Sequence, residues 1–344
     1  MATAKPSQGC RSIKDITATL VSTGCGLWVF SAGPEQYTRR ELGDTVWAIT
    51  SYFNSARNKR RLPNYRIFRA NLAVPLVTVE LSFDGHFELT RDDADVLIQI
   101  SGGAVLWQKE RLLNIAVRSV PQNVRNIAWL DCDVIFERTD WMHEAELKLR
   151  EVNIVQLYSD LVDLGPEGYQ SNIKYDNLRS SGHGIISRGL QQLTAAPEAV
   201  RLSLPGLAWA ARREILEDHG FYDAMIMGGG DTSMVHAMYG QFEHEIERHQ
   251  LDRVRQQYYL KWARPYYRKV GGKVRNVAGR IYHLYHGKFR NRDYRDRHGL
   301  LASLPFDPDI DIRIGANGAW HWARPRPDLE DFLRMYFLRR AEDE

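Results

Sequence analysis

Apolar and polar positions alternate in two rhythms between residues 46 and 136. "VWAITSYF" (46–53), "LVTVELSF" (76–83) and "DVLIQIS" (95–101) are short apolar runs rich in β-branched residues, the pattern of strands buried on both faces. "YRIFRANL" (65–72) and "WQKERLLNIAVRSV" (107–120) repeat their apolar residues at helical spacing, and "NIAWLDCDVIF" (126–136) reads as the next strand. Strands alternating with helices predict an α/β fold with a mostly parallel sheet, whose ligands bind beyond the carboxyl ends of the strands. Around this block the pattern is less regular. "ITATLV" (16–21) is strand-like and "STGCGLWVFSAGPEQ" (22–36) predicts turns and a short hairpin. Residues 159–205, with breakers such as "GPEG" and "SSGHG", predict a lid or binding loop. "PGLAWAARREIL" is compact and apolar, "GFYDAMIMGGGDTSM" is rich in turns, and "DLEDFLRMYFLRR" closes the chain as a helix.

One strand breaks its own pattern. In "NIAWLDCDVIF" two carboxylates, Asp131 and Asp133, interrupt an apolar run. Residues at i and i+2 of a strand share a face, so both acids are expected to point the same way. Burying such a pair without partners costs several kcal/mol, which predicts a hard cation or a row of donors opposite them.

Composition sharpens this picture only in places. The 344 residues, 44% hydrophobic and 26% charged, suit one large domain with additions or two modest ones. No apolar run approaches the roughly 20 residues that span a bilayer, and "MATAKPSQGCRSIKD" lacks a signal-peptide core, so a cytoplasmic protein without a membrane partner is expected. Cys10, Cys25 and Cys132 form neither a disulfide framework nor a zinc pattern. Net charge is +3, but the stretch from Lys261 to Arg297 carries twelve Lys or Arg against Asp293 and Asp296. Two other motifs fall away. "GCGLWV" lacks the third glycine of a dinucleotide fingerprint. His244 and His249 of "HEIERH" are five apart and cannot share a metal from one helix face, so the segment reads as a polar helix face.

The D-x-D strand, "KERLLN" before it and "GLAWAARREILEDHGFYD…GGGD" after it together resemble the catalytic core of GT-A glycosyltransferases, the family 2 and β-1,4-galactosyltransferase types, over roughly residues 46–300. The resemblance implies a GT-A (Rossmann-like) catalytic domain at 45–300, an N-terminal extension at 1–44 and a C-terminal helical tail at 301–344. It implies a hexosyltransferase that takes a nucleotide-sugar donor, a UDP-sugar first among them, with Mn²⁺ or Mg²⁺ and an inverting displacement. The metal would be held by Asp131, Asp133 and a downstream histidine in "YHLYHGKF"; His286 fits that place better than His283, and an imidazole ligand favours Mn²⁺. Asp231 of "GGGD" matches the general base, which could also simply cap the following helix. Gly230 stands where the base's acidic neighbour belongs, which departs from the family pattern. Thr50, Asn54, Glu80, Lys109, Asn114, Asp131 and Trp209 match donor-site positions, each also explicable as an ordinary structural residue.

The acceptor is open. The basic stretch 261–297 interleaves cations with Trp262, Tyr266, Tyr267, Tyr282, Tyr285, Phe289 and Tyr294, the make-up of a surface that tracks phosphates and stacks bases. A hydroxymethylated base in DNA, such as 5-hydroxymethylcytosine modified by a virus in a bacterial host, would reconcile that stretch with the core; base flipping would then employ the 159–205 loop. A glycan, lipid-linked or protein acceptor is the alternative. Outside this class stand a nucleotidyltransferase, whose Gly-Ser signature is missing, and a non-catalytic nucleic-acid-binding module. Oligomeric state is not legible.

Overall fold

The computed structural model describes residues 21–23, 27–31, 46–167, 178–188, 203–293 and 296–344. Among them a nine-stranded sheet is built from β1 (Val21–Thr23), β2 (Leu27–Ser31), β3 (Trp47–Phe53), β4 (Leu76–Ser82), β5 (Val96–Ser101), β6 (Asn126–Leu130), β8 (Ile154–Gln156), β12 (Ala208–Arg212) and β13 (Val274–Asn276), in the order β1-β2-β5-β4-β3-β6-β12-β8-β13. Its middle strands β5, β4, β3 and β6 are parallel, as the alternating pattern predicts. Antiparallel β12 then inserts between β6 and β8, and β1 and β2 form the expected hairpin, with β2 extending the sheet beside β5.

Both faces of the middle strands are buried, which is why their sequences read as unbroken apolar runs. Trp47, Ile49 and Phe53 of β3 face one apolar cluster with the 109–119, 213–219, 230–238 and 253–270 helices; Ala48 and Tyr52 face a second with the 61–70 and 141–149 helices. At roughly 25 cal/mol per Å² of apolar surface removed from water, such two-sided burial makes the sheet the main source of stability. The 301–344 segment joins this body: Phe337 packs against Phe53 and Trp107.

A second sheet corrects two expectations. It runs β11 (Ser203–Leu204), β10 (Leu178–Gly184), β9 (Asp160–Leu164), β14 (Arg280–His283) and β7 (Val134–Phe136). The described parts of 159–205 therefore supply three strands instead of an unstructured lid; 168–177 and 189–202 lie outside the described residues. "NIAWLDCDVIF" is two strands, not one. Its first half ends the large sheet at Leu130 and its second half begins the small sheet at Val134, so Asp131, Cys132 and Asp133 form the passage between sheets.

Candidate active site and metal centre

That passage sends the two aspartates to different partners. Asp131, just past the end of β6, meets Lys109 at the start of the 109–119 helix, with Nζ 2.5 Å from Oδ1. The same Nζ lies 2.8 Å from Oδ2 of Asp231, in the first turn of the 230–238 helix. Gln108 steadies the first helix, its side chain donating to the carbonyls of Ala104 and Trp320 and accepting from the Trp320 N–H. Gly229, at φ 108°, turns the "GGGD" chain into the second in a conformation that L side chains rarely adopt. Lys109 is thus a buried cation shared between two carboxylates. Burial works against its charge, but Asp131, Asp231 and Glu110 outweigh that and hold its pKa well above the usual value. Burial, with Asp231 and Asp133 nearby, pushes the Asp131 carboxyl up to about 6 despite Lys109.

Asp133 faces the small sheet. Register places His283 of β14 beside Val134 of β7 on one side and Asp163 of β9 on the other, and the Leu284 N–H donates to the Asp133 carbonyl at 2.8 Å. Asp133 lies 3.7 Å from His283 Nε2 and 3.3 Å from His286 Nε2, and the two Nε2 atoms are 3.0 Å apart. These three residues form the cluster able to hold a metal among the described residues. Asp131 stands outside this cluster, paired with Lys109, and His283 lies within it beside His286.

The donor set fits a first-row divalent ion. One carboxylate and two imidazoles suit Mn²⁺ better than Mg²⁺, which asks for oxygen. His283 Nδ1 is 2.7 Å from Asp163 Oδ1, the carboxylate–histidine pairing that aims the other ring nitrogen at a metal, whereas His286 Nδ1 stands 3.7 Å from Glu342 without a hydrogen bond. Asp133 Oδ1 is buried with no hydrogen-bond partner, and a cation would satisfy it. Burial disfavours a charged His283, but Asp133 and Asp163 lift it to about 10, while burial and Arg292 lower His286 to about 4.

The other expected donor-site residues are engaged by the fold. Thr50 donates to the Leu130 carbonyl at 2.7 Å and ties β3 to β6. Asn54 closes the turn to Asn58 and donates to Glu88. Glu80 accepts from the Glu88 and Leu89 N–H groups and from Gln99. Asn114 clamps the main chain of Phe221 and reaches Asp223, and Trp209 stacks on Trp129 in the core with its N–H on the Pro205 carbonyl. Each side chain is buried or half-buried and hydrogen-bonded within the fold, and Asn54 also lines a cavity with about 260 Å³ of empty space beside Phe53, Arg61 and Trp107.

Two further corrections concern polar segments. "HEIERH" is a polar face only in part: His244, Glu247 and Arg248 are exposed, but Glu245 is fully buried, bonded to His236, His249 and Ser233. In the basic stretch Tyr266 is buried and stacked on Trp262, Tyr285 is buried, and Trp262 donates to the His219 carbonyl, so these rings serve the core; Tyr294 lies outside the described residues. Exposed cations remain on the 253–270 helix, with Lys261, Arg264 and Arg268 one face apart at spacings of three and four.

No family model matches the chain, and no curated protein does. Among solved structures it is similar to glucosyl-3-phosphoglycerate synthase from Mycobacterium tuberculosis in complex with Mn²⁺, UDP and phosphoglyceric acid, at 12% identity and TM-score 0.38 over 88% of this chain and 98% of that one. It is similar to S. aureus TarS 1–349 at 12% identity and TM-score 0.35, over 86% and 70%, and spans 32% of a longer TarS chain. It is also similar to 4-diphosphocytidyl-2C-methyl-D-erythritol synthase from Anaerococcus prevotii, at 10% identity and TM-score 0.31 over 69% and 88%. Likeness at these values decides nothing about activity. The geometry of the site has to do so.

Proposed function

We propose that this protein is a metal-dependent glycosyltransferase of the GT-A type, moving a sugar from a nucleotide-sugar donor, a UDP-sugar in the first instance, to an acceptor hydroxyl with inversion. The observation that carries the reading is the convergence at Asp131–Asp133: a carboxylate and two imidazoles on one side, and a lysine bridging two carboxylates on the other, all where the parallel strands end. Asp133, His283 and His286 would hold a divalent ion, Mn²⁺ by preference, which neutralises the charge gathering on a departing nucleoside diphosphate. Lys109, on the other side, fixes a positive charge between Asp131 and Asp231 and holds the base in place. Asp231, paired with Lys109, accepts the proton of the attacking hydroxyl; the new C–O bond forms at the anomeric carbon as the bond to the diphosphate breaks, and the diphosphate leaves with the electron pair.

The finer reading, transfer to a hydroxymethylated base in DNA, is supported by the exposed cations of the 253–270 helix with the exposed Tyr267 among them, while Tyr266 and Tyr285 are buried and Trp262, Tyr282 and Phe289 are half-buried. A nucleotidyltransferase would need its attacking group beside a triphosphate, and nothing in the arrangement favours that over sugar transfer. The test is a screen of UDP-, GDP- and TDP-sugars with Mn²⁺, with and without duplex DNA containing 5-hydroxymethylcytosine. Release of a nucleoside diphosphate supports the transferase; consumption of no donor removes it. Turnover indifferent to the modified DNA removes only that acceptor.

A further inference from the structure

Gly230 precedes the base Asp231, and its backbone does not demand glycine: it is absent from the residues with positive φ and opens an ordinary helix. A side chain is excluded there by Glu110. A Cβ built on Gly230 would run into the Glu110 carboxyl and stand 2.8 Å from its Cγ, closer than real Cβ atoms come. The space beside Asp231 is therefore filled from another element, the 109–119 helix, by a carboxyl group.

This carboxyl is not explained by the fold. Glu110 is 3% exposed and its Oε1, the atom against Gly230, has no hydrogen-bond partner. Asp223, half-buried, shows the ordinary solution, held at 3.0 Å by both Arg111 and Asn114. A buried carboxyl oxygen left without a partner costs free energy, and its replacement by an apolar side chain would not. Lys109 cannot compensate for it, being shared already between Asp131 and Asp231.

Resting on the transferase reading, we propose that Glu110 is a positioning residue of the transfer step, a second carboxyl on the nucleophile's side that orients Asp231 from the place a side chain at 230 would occupy. Burial, with Asp231 and Asp131 close by, outweighs Lys109 and pushes its pKa up to about 8, so at neutral pH it is uncharged and does not draw Lys109 from its two aspartates. A neutral carboxyl keeps an O–H to donate beside a base that must only accept.

The test moves the carboxyl. Wild type, Glu110→Ala, Glu110→Gln, Gly230→Asp and the double variant Glu110→Ala/Gly230→Asp are compared for Mn²⁺-dependent hydrolysis of whichever nucleotide sugar the wild type consumes, with water as nucleophile. Glu110→Ala is expected to lower kcat about 100-fold with the donor KM nearly unchanged, the scale of a misplaced reacting group. Glu110→Gln should retain more of kcat than Glu110→Ala. Gly230→Asp alone should be inactive from collision with Glu110, and the double variant should recover about tenfold over Glu110→Ala, since the carboxyl returns from the other element. Wild-type kcat in Glu110→Ala, or no recovery in a folded double variant, overturns the proposal and leaves the transferase reading standing. Failure of the wild type to consume any donor removes both.

Discussion

At the residue scale the site turns on two side chains that each face two ways. Lys109 neutralises Asp131 and Asp231 in a place with little water, so Lys109→Met is expected to cost about 3–5 kcal/mol, the penalty of leaving buried carboxylates unpaired, read by urea denaturation. His283 is held by Asp163 through Nδ1, which fixes the ring with Nε2 aimed at Asp133. Asp163→Asn is therefore expected to weaken Mn²⁺ binding about 10–100-fold while the melting temperature stays near wild type, in a direct metal titration. Thr50 makes the opposite point. It was a donor-site candidate, yet its hydroxyl holds the Leu130 carbonyl, so Thr50→Val should cost about 1–3 kcal/mol of stability and leave the donor KM unchanged.

At the element scale, legibility followed how local the cause was. The strands of the large sheet and the 109–119 helix could be read because their periodicity comes from burial on defined faces, a property of each segment alone. Apolar flanks such as those of "NIAWLDCDVIF" are equally compatible with one strand or with two in different sheets, and the three-residue step from Leu130 to Val134 is too short to mark a break. The small sheet is not legible in the sequence because its five strands come from five separate stretches, with Asp160–Leu164 and Leu178–Gly184 set among turn residues. Asp131, Asp133, Lys109, Asp231 and His286, singled out by the D-x-D strand and the family resemblance, are brought together by the fold. Asp163, Glu110 and Glu342 were not legible, since their roles exist only once the second sheet, the 109–119 helix and the C-terminal segment are folded together. For His283 a signal was present: a histidine three residues before His286 is the spacing at which the end of a strand and its following turn can converge on one ion.

At the scale of the molecule the charge is internal as much as external. Glu245 sits wholly buried beneath the 230–238 helix with Ser233, His236 and His249 aimed at it; burial alone would raise its pKa, but His249 and His236 outweigh it and hold the carboxyl below the ordinary range. A depressed carboxylate gives stability that is present above its unfolded pKa and lost as pH falls below it. The melting temperature is accordingly expected to drop as pH is lowered from 7 through the carboxylate range, and Glu245→Gln, though less stable at pH 7, should show a shallower drop. Among the described residues no helix is long and apolar enough to cross a membrane, and the exposed cations of the 253–270 helix are the feature left to meet an anionic partner.

All of this depends on one ion bound where the two sheets meet, between the Asp133 carboxylate and the two imidazoles. The most direct measurement is calorimetric titration of Mn²⁺ into the wild type and Asp133→Ala with UDP present. The account predicts one site in the wild type and its loss in the variant, with the variant still folded; binding of equal strength in both, or none in the wild type, would contradict it.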